Sequence, residues 1–234
     1  MLMPFTLKNI RRAINRFNHL NKAWTQIQKS GVSSYASSSS PSNLVLYSYW
    51  QSSCSWRIRF ALCLKGIPYE YKAVDLLKGE QFSPGECRAL INYLEEKYTQ
   101  KPLLPVVPQL RALNLQVASI VNSSIQPLHM INVLKDMEEM FGAEPELWAQ
   151  FTIDKGFFAL EKLLKDFSGT YATGEHIYMA DVFLAPQITQ ALQRFDIDMS
   201  KFPILSRLYE TYKALPEFQA SSPQRQPDAY IHNS

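Results

Sequence analysis

The sequence predicts an α/β unit followed by an all-α domain, and three observations predict it. Between residues 43 and 76 the hydrophobic period runs strand-like, then helical, then strand-like again. From residue 109 onward every apolar pattern has helical spacing. Between these regions only the stretch 77–88 (LKGEQFSPGECR) separates the second strand pattern from the next helical one. Two more strands and a hairpin turn need at least roughly 15 residues, so they do not fit there.

Residues 43–50 (NLVLYSYW) are rich in branched and aromatic side chains and read as a largely buried strand. From 53 to 65 the apolar residues Trp56, Ile58, Phe60, Ala61, Leu62 and Leu64 fit a buried helix, and Gly66 stands where a helix stop belongs. Residues 69–76 (YEYKAVDL) alternate and read as a second strand, parallel to the first by a crossover. A helical pattern, ALINYLEEKY, follows at 89–98. The unit therefore spans 43–98, with a proline-bearing linker at 99–108 (TQKPLLPVVP). Helices are expected at 110–121, 128–141, 148–165, 179–195 and 204–214 within a helical domain at 109–226. Gly142, Gly169, Gly174 and Pro203 supply turn signals between them. The stretch 221–234 is polar and proline-containing and is expected to be loose, with 227–234 as a tail. A two-stranded sheet is marginal alone and needs helices over it, and its unpaired edge invites association.

The first 42 residues differ in kind. They carry Lys8, Arg11, Arg12, Arg16, Lys22 and Lys29, no acid occurs before Glu70, and 33–42 (SSYASSSSPS) is serine-rich. That composition fits an organelle transit peptide and equally a disordered extension. Either way the segment stands outside the fold.

Composition narrows the function class. A net charge of +3 without a basic stripe in the folded part gives no nucleic-acid surface. No apolar run approaches the ~20 residues of a membrane span. Three cysteines, Cys54, Cys63 and Cys87, lack paired spacing and no Cys/His cluster has zinc geometry, so a reducing compartment and no metal are expected. Small molecules or proteins are the expected partners.

The chemistry-bearing residues gather where the first strand runs into the first helix, at Ser52-Ser53-Cys54-Ser55. Free N–H groups and the positive helix end favour an anion there and can lower the pKa of a bound thiol, or of Cys54 itself. A serine before a helix is also an ordinary N-cap, worth ~1 kcal/mol. The residues alone leave both readings open.

The string LYSYWQSSCSWRIRFALCLKGIPYEYKAVDLLKGEQFS closely resembles the N-terminal signature of zeta-class glutathione transferases, the maleylacetoacetate isomerase type, which carry an SSCS-type motif followed by W-R-x-R. The resemblance continues through YLEEKY, SSIQPL, FFALEKLL, YMADVFLAPQ and FQASSPQRQPDA and so covers 43–230. It implies a thioredoxin-like N-terminal domain, here truncated, joined to a helical glutathione-transferase C-terminal domain, usually as a homodimer in the cytoplasm. The basic extension offers a mitochondrial or plastid alternative.

The resemblance also implies roles for single residues. Ser52 would donate a hydrogen bond to the glutathione thiolate, with Ser53 and Cys54 completing the catalytic group and Ser55, Trp56 and Arg57 lining the site. Gln81 matches the Gln of a Gln-Phe pair that touches glutathione. Gln126, Met130, Ile131 and Asn132 match positions that approach it from the helical domain. Arg194 matches an arginine that orients a carboxylate of a dicarboxylic substrate, a task its planar fork suits. The implied reaction is addition of the glutathione thiolate to the cis double bond of maleylacetoacetate, rotation, and departure with a trans bond. Small α-halo acids such as dichloroacetate would react with the same thiolate.

The chain departs from the family between the two halves of its first domain. Family members follow the Gln-Phe pair with a loop, a strand entered through a V-P cis-proline, another strand, and an acid or Gln followed by Ser. Here Ser83-Pro84-Gly85-Glu86-Cys87-Arg88 replaces all of it. Losing hydrogen bonds to a charged group, at ~1.5–3 kcal/mol each, weakens glutathione binding by orders of magnitude. An inactive family member that keeps its helices as a dimerisation or binding module is thus an alternative, as is a redox protein using Cys54. The remaining polar residues read structurally. Asp181 supports a helix start, His129, His176 and His232 read as surface or satisfied side chains, and Glu95-Glu96 as a solvated helix face.

Overall fold

The strand–helix–strand order at the start of the described chain leads into a bundle of helices, and one of those helices is the axis of the whole. The computed structural model describes residues 44–74, 87–142 and 144–230. The expectations for 1–42, for Gln81, for the connection 77–86 and for 231–234 lie outside the described residues.

Strands β1 (Val45–Ser48) and β2 (Glu70–Ala73) pair in parallel, Val45 opposite Glu70 and Ser48 opposite Ala73. Helix α1 (Ser53–Lys65) joins them and ends at Gly66, which adopts φ 66° and returns its N–H to the carbonyls of Cys63 and Leu62. That left-handed stop is the one the sequence signalled. Among the described residues the sheet has these two strands and no more. The first strand is less buried than its composition suggests, with Tyr47 67% exposed. A two-stranded sheet has one face that α1 can cover, and Tyr47 alternates to the other.

Helix α2 (Cys87–Lys97) packs on α1. Then come α3 (Pro108–Ser119), α4 (Ile131–Phe141), α5 (Pro145–Leu164), α6 (Met179–Arg194), α7 (Pro203–Lys213) and the short α8 (Pro216–Ala220). Proline opens four of these at its favoured first-turn position, where its missing N–H is no loss. The connection that matters most below is not α-helical: between α3 and α4 the chain widens into a π turn at Ile120–Ile125 and tightens into a 3-10 turn at Gln126–His129. The helix expected from residue 128 therefore begins three residues later, because Met130, extended at φ −66° and ψ 145°, separates the 3-10 turn from α4 and serves as its N-cap.

Helix α6 is the axis. Residues 179–191 are all buried, packed by α1, α3 and α7. A helix buried all round needs its N-terminus satisfied internally. Asp181 does this at 0% exposure, accepting from Tyr178 N at 2.9 Å, Ala172 N at 2.8 Å and the Tyr212 hydroxyl at 2.6 Å. Buried Asn114 adds a bond from Ala180 N to its Oδ1 at 3.0 Å. Asp181 is thus a folding residue, as the sequence indicated.

Two expectations need correction. Glu95 is not part of a solvated face: its carboxylate pairs at 2.5 Å with the buried Lys65 and accepts from Leu103 N and Leu104 N. It ties α1, α2 and the 99–108 stretch together. The stretch 221–230 is not loose either. Ser221, Gln226 and Asp228 are 1%, 5% and 4% exposed, because Ser221 meets Trp56 and Arg59 and Asp228 meets Trp50 and Tyr71. No helix among the described residues is long and apolar enough to cross a membrane.

Candidate active site at the start of the first helix

Ser52 is the N-cap of α1, with extended φ and ψ and its Oγ accepting from Ser55 N at 3.2 Å. A hydroxyl that accepts one bond still has a proton to donate. The half-buried Ser52 can therefore cap the helix and also direct an O–H at a sulfur anion, so the two readings of this serine are compatible. Ser53 is buried, while Cys54 and Ser55 are half-buried at the same helix end.

What holds this end in position is a set of buried cations and the C-terminal segment. Arg59, 0% exposed, donates to Ser48 Oγ, to the carbonyls of Tyr49 and Trp50, and to Ser221 O. Burial lowers its guanidinium below the ordinary value, with nearby Tyr71, Tyr69 and Asp228 opposing that. The loop into Ser52 is thereby clamped from one side. From the other, Gln190 Nε2 on α6 donates to Gln51 O at 2.5 Å.

Arg57 carries the link to the helical bundle. Its Nη1 donates to Gln126 Oε1 at 3.1 Å, its Nη2 to Gln187 Oε1 at 3.3 Å, and its guanidinium lies 5.0 Å from the Phe183 ring centroid. Gln126 Nε2 in turn lies 3.0 Å from Cys54 Sγ. Gln187 Nε2 lies 3.0 Å from His129 Nε2, and His129 stacks edge-on to Phe195. Burial pushes the His129 imidazole down to about 4, and the charge of Arg194 adds to this, so it is neutral near pH 7.

The expected site residues divide accordingly. Ser52, Ser53, Cys54, Ser55 and Gln126 come together at the helix start. Trp56 and Arg57 do not line a groove. Trp56 is 1% exposed, stacked on Phe218 at 4.7 Å and bonded to Ser221 Oγ, and Arg57 is 0% exposed. Both point inward because positions four and five beyond the cap face the core of a buried helix. Met130 and Ile131 are exposed at 41% and 59%, and Asn132 is exposed beside them at the start of α4. Arg194 lies one turn beyond Gln190 on α6, about 6 Å along the same face, with its guanidinium 4.9 Å from the Phe195 ring. That face brings Gln187 to Arg57 and Gln190 to Gln51 of the first domain, while Arg194 beyond them is exposed near the end of the helix. Gln187 and Gln190 were not foreseen, although Gln187, Gln190 and Arg194, spaced three and four residues apart on one helix face, are the signal that could have found them.

A cavity of about 490 Å³ lined by Leu64, Leu103, Tyr171, Glu175, His176 and Tyr178 lies at the other end of α1. Its Leu64 is twelve residues from Ser52, about 18 Å along the helix, so this cavity is separate from the site.

The comparisons agree with this arrangement. A family model described as "Glutathione S-transferase, C-terminal domain" matches residues 129–220. A zeta-class glutathione S-transferase of Euphorbia esula is 47% identical over 208 residues, covering 80% of this chain and 92% of that one. The maleylacetoacetate isomerase of Rattus norvegicus is 42% identical over 208 residues, covering 79% and 94%. A crystal structure of maleylacetoacetate isomerase from Anaeromyxobacter dehalogenans with bound GSH in the active site superposes with a TM-score of 0.76 at 37% identity, covering 80% of this chain and 98% of that one. The fold is that of a glutathione transferase with a shortened thioredoxin-like half. The chain belongs to the zeta-class glutathione transferase and maleylacetoacetate isomerase family. The alignment with the Euphorbia relative spans 208 positions yet takes up only 80% of these 234 residues, so roughly 20 positions of that relative face no residue here.

Proposed function

We propose that the chain is a glutathione-dependent cis–trans isomerase and transferase of the zeta class, converting maleylacetoacetate to fumarylacetoacetate in tyrosine and phenylalanine catabolism and acting on small α-halo acids. The observation that carries this reading is Ser52: a half-buried hydroxyl that caps α1 and keeps a proton to donate at the positive end of that helix. Kinship at 40–47% identity with zeta transferases and maleylacetoacetate isomerases supports it.

Glutathione, when bound, supplies the sulfur nucleophile. Ser52 stabilises that sulfur as an anion by hydrogen bonding to its charged form, and the N–H groups at the start of α1 add to the effect. Ser53, Cys54, Ser55 and Gln126 border the sulfur, and Met130, Ile131 and Asn132 approach the rest of the tripeptide from the helical side. Arg194 takes a carboxylate of the substrate. The site operates in a homodimer in the cytoplasm, or in an organelle if residues 1–42 act as a transit peptide. Because the stretch that holds the γ-glutamyl end has no counterpart, glutathione binds more weakly than in full-length relatives.

Isothermal titration with glutathione, followed by a maleylacetone isomerisation assay on the full chain and on Ser52→Ala, tests the reading. Binding in the micromolar-to-millimolar range and a loss of turnover in Ser52→Ala of 100-fold or more, on the order of one lost stabilising donor, are expected. Equal turnover in the two proteins removes Ser52 from the mechanism. No binding and no turnover in the unaltered chain assigns it instead to the binding-module alternative.

A further inference from the structure

Arg57 is a fully buried cation whose polar partners are neutral. Among the described residues it forms no ion pair, and its contacts are the two glutamine amides and the Phe183 ring. A buried charge normally has an opposite charge to pair with. Its chemistry then decides how its neighbours are oriented. A guanidinium has donors only, so each glutamine must offer it the carbonyl oxygen and turn its NH₂ the other way. Gln126 therefore presents N–H to Cys54 Sγ at 3.0 Å, and the sulfur accepts. Gln187 likewise presents N–H to His129 Nε2, which must be the unprotonated nitrogen, so the imidazole carries its proton on Nδ1. A neutral His129 is what its displaced titration requires.

We infer that Arg57 is a positioning residue for this site: by fixing the amide of Gln126, and being held itself by Gln187 and His129, it keeps an N–H donor aimed at the Cys54 sulfur and so favours thiolate over thiol there. A donor to sulfur stabilises the charged form, and the cation behind the amide and the start of α1 act in the same direction. Arg57 touches neither sulfur nor substrate; it acts through Gln126. The inference rests on the reading of this helix start as the reaction site, but its test needs no glutathione.

The test is the pH dependence of Cys54 alkylation by iodoacetamide in the full chain, resolved from Cys63 and Cys87 by peptide mass spectrometry. Gln126→Glu is the decisive variant, since it is isosteric, keeps an oxygen for Arg57, and replaces the donor facing the sulfur with a charged acceptor. The midpoint of alkylation is expected to move to higher pH, with alkylation at pH 7 slowed about tenfold, one pKa unit. Arg57→Lys and Gln187→Leu should move the midpoint the same way by less. Half-buried Cys63, on the same helix, is the internal reference, because a variant that loosens α1 accelerates Cys63 as well. An unmoved or lowered midpoint in Gln126→Glu overturns the inference, as does uniform slowing at every pH. Loss of isomerisation in Ser52→Ala with an unmoved Gln126→Glu midpoint would sink this relay and leave the isomerase reading standing. A moved midpoint without glutathione binding would do the reverse.

Discussion

Asp228 accepts a hydrogen bond from the backbone N–H of Trp50 at 3.0 Å across 178 residues of sequence. The same carboxylate takes the Tyr71 hydroxyl at 2.7 Å, so one side chain near the C-terminus joins β2 to the loop that delivers Ser52. Arg59 holds the carbonyl of that same Trp50 from the opposite side. The geometry at the start of α1 therefore depends on the last described segment of the chain.

Asp228→Ala is expected to lower stability by about 2–3 kcal/mol, two bonds to a charged acceptor partly offset by water. For a folded part of this size that is a fall in Tm of about 5–10 °C. Asp228→Asn keeps one acceptor but turns an NH₂ toward the other donor and should lose about half as much. Differential scanning calorimetry of the three proteins checks the order, and an unchanged Tm in Asp228→Ala would mean that the segment carries no load.

The Asp181 carboxyl makes a prediction with a definite sign. Burial pushes it up to about 6 in spite of three donors that favour its ionised form. The folded state thus holds this proton more tightly than the unfolded state, whose value is near 3.9. Its contribution to stability is complete below about pH 4 and is lost as pH rises through 6, by about 3 kcal/mol in all. The deficit of Asp181→Asn relative to the unaltered chain should therefore narrow by that amount between pH 4 and pH 7. A gap that stays constant in denaturant titrations across this range would show that Asp181 is equally acidic in both states.

Lys65 and Glu95 form a buried ion pair in the first domain, at 0% and 12% side-chain exposure. Lys65→Met or Glu95→Gln alone should each cost about 3–5 kcal/mol, because each leaves a buried partner uncompensated. The double variant should cost less than the two losses added together. Urea denaturation of the set measures the coupling, and strict additivity would place both residues outside a common interaction.

Much of this was legible in the sequence, and the limit falls at long-range polar pairing. Residues 53–65 and Gly66 announced α1 and its end because apolar spacing and a left-handed glycine are local signals. The shortness of 77–88 announced the small sheet for the same reason. Glu95 was misread because a carboxylate on a helix looks solvated until the ammonium of Lys65, thirty residues earlier, is brought beneath it. The segment 221–230 was misread because polar and proline-rich composition says nothing of Arg59, Trp50 or Tyr71 meeting it from the far end of the chain. Trp56 and Arg57 carried the family motif faithfully but point into the core. Their direction is set by α1 being buried on nearly all sides, which no motif states.

The approach of α5 to the turn bearing Gln126 sets the last prediction. Gly156 sits where a Cβ would stand 2.3 Å from Cγ1 and 2.5 Å from Cδ1 of Ile125. The δ-methyl of an isoleucine could swing aside, but Cγ1 is fixed one bond from Cβ in a side chain that is 0% exposed, so the backbone of the π turn must give instead. Gly156→Ala is therefore expected to cost about 1–3 kcal/mol from overpacking, although alanine is intrinsically the better helix former by about 1 kcal/mol. Because Ile125 precedes Gln126, the same displacement shifts the amide out of its 3.0 Å register with Cys54 Sγ, and turnover should fall together with Tm. Ile125→Ala in the Gly156→Ala background removes the clashing carbons. It should restore turnover more fully than stability, since it leaves a cavity where the isoleucine packed. Steady-state kinetics and melting of the two variants decide the matter: turnover in Gly156→Ala equal to that of the unaltered chain would show that Gln126 is not set by this contact.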